Sequence, residues 1–336
     1  MPFVTHELLI SGQLLAFASY SVGSYRLLPA AGTHHVSVRV RCAIVAIALA
    51  AAGCGSSPTE PSGPVSPGTG SPPSLVRQSA VFVGAGDIGW CGSTATRATA
   101  ALLDGIDGVV FTAGDNAYLS GTEAQFRDCY EPTWGRHKHR TRPTPGNHDY
   151  ETPGARPYFA YFGANAGPAG LGYYSFDLGA WHIVSLNSVT PAGTRSVQAR
   201  WLRQDLQTRS TLCTLAYWHN PLFSSGPNGG QPHMRDVWRI LHEFGVEVVV
   251  NGDDHLYERF APQDPDGRPD PIGIRQFIVG TGGAPLYGAQ SVQPNSEVRT
   301  STFGVLKLTL RPESYDWEFV PVPGEGSQDS GVGRCH

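Results

Sequence analysis

Side chains that could hold metal ions follow directly after five apolar or extended segments of the chain. These side chains belong to Asp87, Asp115, the run Asn147-His148-Asp149, His219, and the pair Asp253 and His255. A mixture of carboxylate, amide and imidazole groups suits a site for two first-row metal ions. Asp253 and His255 are two residues apart after a predicted strand, so an extended backbone would point both side chains the same way.

These side chains can meet only if the segments before them lie in neighbouring strands. In α/β folds the carboxyl ends of the strands line the ligand crevice, where loops bring together residues from distant parts of the sequence. Each motif alone is weak or moderate evidence for a metal site. A Gly-Asp turn such as Gly86-Asp87 is common, and a lone histidine such as His219 often only forms hydrogen bonds within a loop. The order and strand context of all five motifs indicate a metal site at the strand ends.

The segments that would position these groups alternate strands with helices early and form hairpins late. Apolar or alternating runs predict strands at 81–83, 109–111, the residues before Pro145, 173–177, 181–186, 212–218, 246–250, 277–279, 305–310 and 315–320. Helical spacing predicts helices at 94–103, 197–206 and 237–244. One helical face would carry Val197, Trp201, Leu202 and Leu206. The pattern predicts a mixed β-sheet core with flanking helices.

The sequence before residue 80 differs from the rest and carries a targeting pattern. Arg39 and Arg41 precede the apolar run 43–52, which is too short to span a bilayer, as in a secretory signal. The tripeptide 51–53 before Cys54 resembles a bacterial lipoprotein box, in which that cysteine becomes the lipidated first residue. An ordinary cleaved signal with an incidental cysteine is the alternative.

We therefore predict four segments along the chain. Residues 1–37 form an extension ahead of the signal, which a misassigned start codon near Val36 or Val38 would explain; a long uncleaved extension is the alternative. The predicted signal is 38–54, and a Ser/Pro/Gly-rich linker follows at 55–79. Residues 80–336 form one large α/β domain, which is the predicted catalytic domain. The protein would act outside the cytoplasm, either lipid-anchored to the cell envelope through Cys54 or secreted or periplasmic.

Four further cysteines lie in the predicted domain, namely Cys91, Cys129, Cys213 and Cys335. An even count in an exported protein indicates two disulfides, although four cysteines allow three pairings and the sequence alone does not choose. We favour Cys91–Cys129, which would link two loops near the metal site, and Cys213–Cys335, which would fasten the C-terminus. Buried free thiols are the alternative.

The charge pattern argues against a nucleic-acid partner. Charged residues make up only 15% of the chain, the formal net charge is −4, and Lys/Arg runs are missing. A basic patch is the electrostatic signature of nucleic-acid binding. The hydrophobic fraction of 40% is enough for a folded domain, so the 41 glycines and 27 prolines indicate many loops.

In sequence order the motifs resemble the calcineurin-like metallophosphoesterase superfamily. That family has five motifs in order: Asp-x-Gly or Asp-x-His, Gly-Asp, Gly-Asn-His-Asp/Glu, a lone His, and Gly-His-x-His. The corresponding positions in this chain are 87–89, 114–115, 146–149, His219 and 252–255. Tyr118 in Gly-Asp-x-x-Tyr and the run Tyr257-Glu258-Arg259 narrow the resemblance to purple acid phosphatases, in a short bacterial form without an N-terminal β-sandwich domain. The resemblance covers about 80–336 and implies a four-layer α/β/β/α sandwich of two mixed β-sheets flanked by helices.

The resemblance also implies two metal ions. The first would be held by Asp87, Asp115, Tyr118 and His255, and the second by Asp115, Asn147, His219 and Asp253. A phenolate ligand favours Fe(III) at the first position, with Fe(II), Mn(II) or Zn(II) at the second. Asp253 stands where the family has histidine and adds a fourth anionic ligand. The lower net positive charge would favour harder ions such as Mn(II) or Fe(II) at the second position.

The activity implied is that of a metal-dependent acid phosphatase, which hydrolyses phosphoric monoesters. A hydroxide activated by the two metal ions would attack phosphorus, while His148 binds the phosphate and protonates the leaving oxygen. Asp149 would orient His148, Asn147 would also lie against the substrate, and His233 would either face the substrate or be a surface histidine.

Two other functions fit the same residues. The protein could be a phosphodiesterase or a nucleotide or pyrophosphate hydrolase, since the same metal core serves those substrates. It could also be a non-catalytic lipoprotein that binds metal or phosphate, a reading that the change at Asp253 motivates. The predicted partner is a small phosphate ester, and the membrane would be reached only through the lipid anchor.

Overall fold

A computed structural model describes residues 78–326 and 328–336. The predicted extension (1–37), the signal (38–54) with Cys54, and nearly all of the linker (55–79) lie outside these described residues. Within the described part of the chain, the helices are all too short or too polar to cross a bilayer.

Strands and short helices alternate along the described chain. The strands are β1 (Ala80–Ala85), β2 (Val109–Ala113), β3 (Thr141–Thr144), β4 (Tyr174–Leu178), β5 (Trp181–Ser185), β6 (Cys213–Tyr217), β7 (Val248–Asn251), β8 (Tyr257–Phe260), β9 (Arg275–Val279), β10 (Ser296–Thr300), β11 (Gly304–Leu310), β12 (Ser314–Pro321) and β13 (Asp329–Arg334). The α-helices are α1 (Thr94–Asp104), α2 (Glu123–Gln125), α3 (Asn147–Glu151), α4 (Arg156–Phe162), α5 (Val197–Thr208) and α6 (Arg235–Glu243). A π-helical turn covers Phe126–Tyr130, and 3₁₀ segments cover Trp134–Arg140, Pro153–Ala155, Gly163–Ala166 and Pro232–Met234.

The strands form two mixed sheets. The first has the order β13-β12-β11-β1-β2-β3, in which β1, β2 and β3 are parallel. The second has the order β10-β8-β9-β7-β6-β5-β4, in which β5, β6, β7 and β9 are parallel. Parallel neighbours end at the same edge of a sheet, so the loops after β1, β2 and β3 lie together, as do those after β6 and β7.

Aromatic side chains fill the space between the two sheets. The ring of Phe82 in β1 lies 5.4 Å from that of Tyr217 in β6 and 6.4 Å from that of Phe176 in β4. Tyr257 in β8 stacks on Phe319 in β12 with ring centroids 4.2 Å apart. Large rings bury much apolar area and add edge and stacking contacts, so this layer contributes strongly to stability.

Helices cover the outer faces of both sheets. Leu202 and Leu206 of α5 and Leu241 of α6 are buried in one cluster with Trp218, which follows β6. On the first sheet, α1 packs against β11. Its N-cap is Ser93, whose hydroxyl accepts a hydrogen bond from the backbone N–H of Thr96. The predicted four-layer α/β/β/α sandwich of two mixed sheets is confirmed.

One predicted helix face is partly wrong. Val197 is 66% exposed, because it is the first residue of α5 and directly follows the N-cap Ser196. Gln198 is buried instead. Its side-chain amide accepts a hydrogen bond from the backbone N–H of Asn187 and donates one to the carbonyl oxygen of the same residue. Leu202 and Leu206 are buried as predicted.

Both favoured disulfides are present. Cys91–Cys129 joins the loop after β1 to the π-helical turn 126–130, with Cα atoms 4.8 Å apart. Cys213–Cys335 joins the first residue of β6 to the residue after β13, with Cα atoms 5.5 Å apart. The second disulfide therefore connects the two sheets covalently.

Candidate metal centre

Three aspartates at strand ends share an unusual backbone conformation. Asp87, Asp115 and Asp253 follow β1, β2 and β7, each after a glycine, and have left-handed φ values of 60°, 50° and 70°. Aspartate adopts this region more readily than most residues, but at a cost that usually marks a functional constraint. All three are buried, with 0%, 2% and 8% of their surface exposed.

A cluster of three buried groups occupies the centre of the site. One ligand atom each from Asp87, Asp115 and His219 lies within 4.8 Å of the other two. His219 Nδ1 lies 2.8 Å from the carbonyl oxygen of Ala113, so this nitrogen carries the ring proton. Nε2 therefore faces the cluster, 3.2 Å from Asp115 Oδ2, and the neutral ring would offer its lone pair there, as in a metal-binding histidine.

Tyr118 joins one side of the cluster, and we call Asp87, Tyr118 and His255 the Tyr118 side. The Tyr118 hydroxyl lies 2.7 Å from Asp87 Oδ1, 2.9 Å from Asp115 Oδ2 and 3.1 Å from His255 Nε2. One hydroxyl proton cannot serve two carboxylates at once. Burial and the nearby Asp115 and Asp87 raise the pKa of Tyr118 well above its usual value.

The opposite side consists of Asn147, His219 and Asp253, and we call it the Asp253 side. Asp253 Oδ1 lies 3.6 Å from His219 Nε2 and accepts a 2.8 Å hydrogen bond from Asn220 Nδ2. Asn147 Oδ1 lies 3.5 Å from the same Asn220 nitrogen. Asp253 Oδ2 is buried and has no hydrogen-bond partner among the described residues, whereas His219 Nε2 lies 3.2 Å from Asp115 Oδ2. A buried unpaired polar atom costs about 1–3 kcal/mol, and a cation bound to Asp253 Oδ2 would offset that cost.

The electrostatics of the cluster also fit a cation. Burial raises the pKa of Asp253 to about 6, although the neighbouring His219 opposes the rise. Burial lowers the pKa of His255, but its hydrogen bond to Asp87, the charges of Asp87 and Asp115 and its contact with the Pro285 carbonyl together raise the pKa to about 8. Metal ligands must be deprotonated, so an ion entering this cluster would displace protons.

Two motif glycines are required by close approach to the carboxylates. A Cβ atom on Gly146 would lie 2.1 Å from Asp115 Oδ1, and one on Gly252 would lie 2.6 Å from Asp87 Oδ2. Any larger residue at either position would displace a carboxylate of the cluster.

His148 lies at the edge of the cluster with its side chain 34% exposed and its Nε2 3.9 Å from Asp115 Oδ2. Its Nδ1 contacts the carbonyl oxygen of Leu119, and its backbone N–H donates to Asp115 Oδ1 at 2.9 Å. The backbone carbonyl of Leu119, rather than Asp149, therefore orients the imidazole.

The prediction that Asp149 orients His148 is wrong. Asp149 is the third residue of α3, so its carboxylate turns back to the backbone N–H of Gly146, at 2.9 Å. The same carboxylate accepts hydrogen bonds from the backbone and side-chain amides of Asn116. Burial raises the pKa of Asp149 to about 7. Asp149 thus ties the loop of residues 146–149 to the loop that carries Asp115.

His233 lines the same cavity as several of the predicted ligands. It lines a cavity of about 520 Å³ together with Asp115, Asn147, His148, Asp253 and His255. Its Nε2 lies 2.9 Å from the carbonyl oxygen of Ser188, so Nε2 carries the proton and Nδ1 holds the lone pair.

Sequence reasoning missed several residues that support the site. Asp254 accepts hydrogen bonds from Asn228 and from the Ser224 hydroxyl. The Tyr287 ring stacks on His255 with centroids 4.8 Å apart, and its hydroxyl donates to the Asp253 carbonyl oxygen at 3.0 Å. Asp254 stands inside the recognised motif, so its position gives a signal in the sequence, whereas Tyr287 lies in a loop without one.

Comparison with known proteins places the chain in a family. Residues 81–257, more than half of the chain, match the model of the calcineurin-like phosphoesterase family. Purple acid phosphatase 21 of Arabidopsis thaliana is 30% identical over 58% of this chain and 51% of its own length. Purple acid phosphatase 22 of the same plant is 27% identical over 68% of this chain and 57% of its own length. The chain spans about half the length of these curated relatives.

Solved structures share the fold at low sequence identity. The purple acid phosphatase PPD1 from yellow lupin has a TM-score of 0.65 and 18% identity, over 76% of this chain and 53% of its own. GAP50 from Plasmodium has a TM-score of 0.61 and 11% identity, over 77% of this chain and 89% of its own. With its strand-end cluster and its matched family model, the chain belongs to the calcineurin-like phosphoesterase family and is a distant relative of the purple acid phosphatases.

Proposed function

We propose that this protein hydrolyses phosphoric monoesters at a site with two metal ions. The observation that carries the proposal is the convergence of buried Asp87, Asp115 and His219 at the ends of three strands, with the buried and unpartnered Asp253 Oδ2 beside them. Membership of a phosphoesterase family supports the reaction class.

The ligands are divided between the two sides of the cluster. The first ion is assigned to Asp87, Asp115, Tyr118 and His255, and the second to Asp115, Asn147, His219 and Asp253. Two metal ions in such a site supply positive charge to the phosphoryl oxygens and lower the pKa of water. The phenolic oxygen suits Fe(III) at the first position. The extra carboxylate of Asp253 favours Mn(II) or Fe(II) over Zn(II) at the second.

His148 is assigned to the leaving group. Its Nδ1 is held by the Leu119 carbonyl, which directs Nε2 into the cavity next to Asp115. A protonated Nε2 can bind a phosphate oxygen and give its proton to the leaving alcohol. Asn147 and His233 would contact the substrate from other parts of the same cavity.

The two disulfides support a location outside the cytoplasm, where such bonds form and persist. Lipidation at Cys54 and the absence of a nucleic-acid partner remain predictions. A small phosphate ester is the proposed substrate, since the cavity of about 520 Å³ is of small-molecule size.

The test combines metal analysis with a choice of substrates. Elemental analysis of the purified protein should find two metal ions, and a visible spectrum should show a tyrosinate-to-iron band. p-Nitrophenyl phosphate should be hydrolysed faster than bis(p-nitrophenyl) phosphate. Preference for the diester, or for a nucleotide or pyrophosphate, would instead indicate the alternative hydrolases. Neither metal nor hydrolysis would indicate a non-catalytic binding protein.

A further inference from the structure

Nearly every polar atom of Asp253 already has a partner. Its backbone N–H donates to Asp87 Oδ2 at 3.0 Å, and its carbonyl oxygen accepts from Asn228 Nδ2 at 2.6 Å and from the Tyr287 hydroxyl at 3.0 Å. Its Oδ1 accepts from Asn220 Nδ2 at 2.8 Å. Only Oδ2 is buried without a partner among the described residues. The surroundings of Asp253 therefore leave one oxygen for an ion.

The orientation of the Asn220 amide is fixed by Ser188. The backbone N–H of Asn220 donates to Ser188 Oγ at 3.1 Å, and the Ser188 hydroxyl donates back to Asn220 Oδ1 at 2.8 Å. Rotating the amide by 180° would place its oxygen 2.8 Å from the Asp253 carboxylate, which is repulsive. The amide nitrogen must therefore face Asp253.

The same nitrogen also reaches toward a second predicted ligand. Asn220 Nδ2 has two hydrogens, and Asn147 Oδ1 lies 3.5 Å away from it. Asn220 thus lies between the two oxygen ligands that belong to the Asp253 side alone. His219, the imidazole of that side, is its neighbour in sequence.

We infer that Asn220 is a positioning residue for the second metal ion: it holds Asp253 Oδ1 so that Oδ2 is presented to the ion. A carboxylate can bind through either oxygen or both, so a donor on one oxygen selects the other. An imidazole has no second oxygen and would not need this donor. The inference rests on the proposed function, because it takes Asp253 as a ligand of the second ion.

The test is metal binding by two Asn220 variants. Asn220→Ala removes the donor, and Asn220→Asp replaces it with an acceptor of the same size. Mn(II) is titrated into each protein carrying one equivalent of iron, and free Mn(II) is read by electron paramagnetic resonance. Both variants should bind Mn(II) about 10–100-fold more weakly, as is usual when the hydrogen-bond partner of a metal ligand is removed. The iron and its visible band should be unchanged.

A second background makes the test specific. In the Asp253→His protein, Asn220→Ala should have no further effect on the affinity of the second ion, because no carboxylate remains to be held. Asn165→Ala is the matched control and should bind Mn(II) like wild type. It makes the same change at an asparagine that is hydrogen-bonded to the Lys138 carbonyl oxygen and to the Arg142 side chain. Circular dichroism confirms that each variant is folded.

Three results would overturn the inference while leaving the proposed function intact. They are unchanged Mn(II) affinity in both Asn220 variants, equal losses from Asn220→Ala in the wild-type and Asp253→His backgrounds, and loss of both ions together. A wild-type protein that takes up no second ion from Mn(II), Fe(II) or Zn(II) would instead contradict the proposed function itself.

Discussion

The Tyr118 side and the Asp253 side of the site differ in how completely their polar atoms are hydrogen-bonded within the protein. On the Tyr118 side, one hydroxyl contacts two carboxylates and an imidazole at 2.7–3.1 Å. On the Asp253 side, His219 Nε2 lies 3.2 Å from Asp115 Oδ2, but Asp253 Oδ2 is buried without a hydrogen-bond partner in the described chain. The phenolic proton can partly stand in for a cation on the first side, whereas on the second side Asp253 Oδ2 has no donor among the described residues.

This difference indicates that the two positions depend on metal in different ways. On the Tyr118 side an entering ion must displace a proton whose pKa is raised by burial and by two carboxylates. On the Asp253 side an entering ion would satisfy the unpaired Asp253 Oδ2 directly. Substitutions on the two sides should therefore have separable effects.

The largest effect should come from Asp115, which contacts both sides. Asp115→Asn keeps the size of the side chain but removes the charge that would be shared by both ions. We expect loss of both metals and a fall in kcat/KM of at least about 100-fold, since metal Lewis acidity is worth several kcal/mol. Elemental analysis and steady-state kinetics measure this. Asp316→Asn, at an exposed pair with Arg311, is the control and should change neither. Retention of both metals by Asp115→Asn would contradict the bridging role.

Tyr118→Phe should affect the Tyr118 side alone. The change removes the hydroxyl and leaves the ring, which packs near Trp90 and His148. We expect the visible band to vanish and the affinity of the first ion to fall, while Mn(II) binding at the second position stays within about threefold of wild type. Absorption spectra and metal titration measure the two effects. Persistence of the band in Tyr118→Phe would show that another group produces it.

Asp253→His should change the preference of the second position rather than its occupancy. The substitution removes one negative charge and adds a nitrogen ligand, which favours Zn(II) over Mn(II). We expect the ratio of Zn(II) to Mn(II) affinity to rise about tenfold or more, with turnover changed in the same protein. Competition between the two metals followed by elemental analysis measures the ratio. An unchanged metal ratio and turnover would remove any special role for Asp253.

The smallest effect should be seen at His182, whose two ring nitrogens are hydrogen-bonded to the carboxylates of Asp177 and Asp205. Burial lowers its pKa, but hydrogen bonds to Asp205 and Asp177 at 2.8 and 2.9 Å outweigh this and raise it. A raised folded-state pKa stabilises the protein fully below the unfolded value of about 6.5, and this stabilisation is lost as the pH rises through the folded value. His182→Gln should lower the melting temperature by about 2–4 °C at pH 5.5 and by less at pH 9, as for a pair worth about 1 kcal/mol. Equal losses at both pH values would mean that charge is not involved.

The strand ends that carry the proposed ligands could be predicted because their signals are local. An apolar run followed by Gly-Asp marks a strand end, and the structure shows why glycine is needed, since a side chain at Gly252 would strike Asp87. The edge strands β10 and β13 could not be predicted in this way. Their sequences, SEVRT and DSGVGR, are polar or glycine-containing, and they are strands because their backbones pair with β8 and β12.

The errors have similar physical origins. Asp149 was expected to contact its neighbour His148, but the start of α3 turns its carboxylate toward the N-terminal amides of the helix. Asn220 was missed because its importance depends on Ser188 and Asp253, which are each more than 30 residues away in sequence. Contacts of that kind are fixed by tertiary structure and leave no local pattern.

The two disulfides close two covalent rings in the chain, and five of the seven proposed metal ligands lie within them. The ring closed by Cys91–Cys129 contains Asp115 and Tyr118, and the ring closed by Cys213–Cys335 contains His219, Asp253 and His255. The metal ions would therefore link two closed loops of polypeptide. An oxidised chain that unfolds keeps most of its ligands within these rings and loses less entropy when they reassemble. Recovery of the metal site after unfolding should accordingly depend on the redox state of cysteines that do not touch the metals.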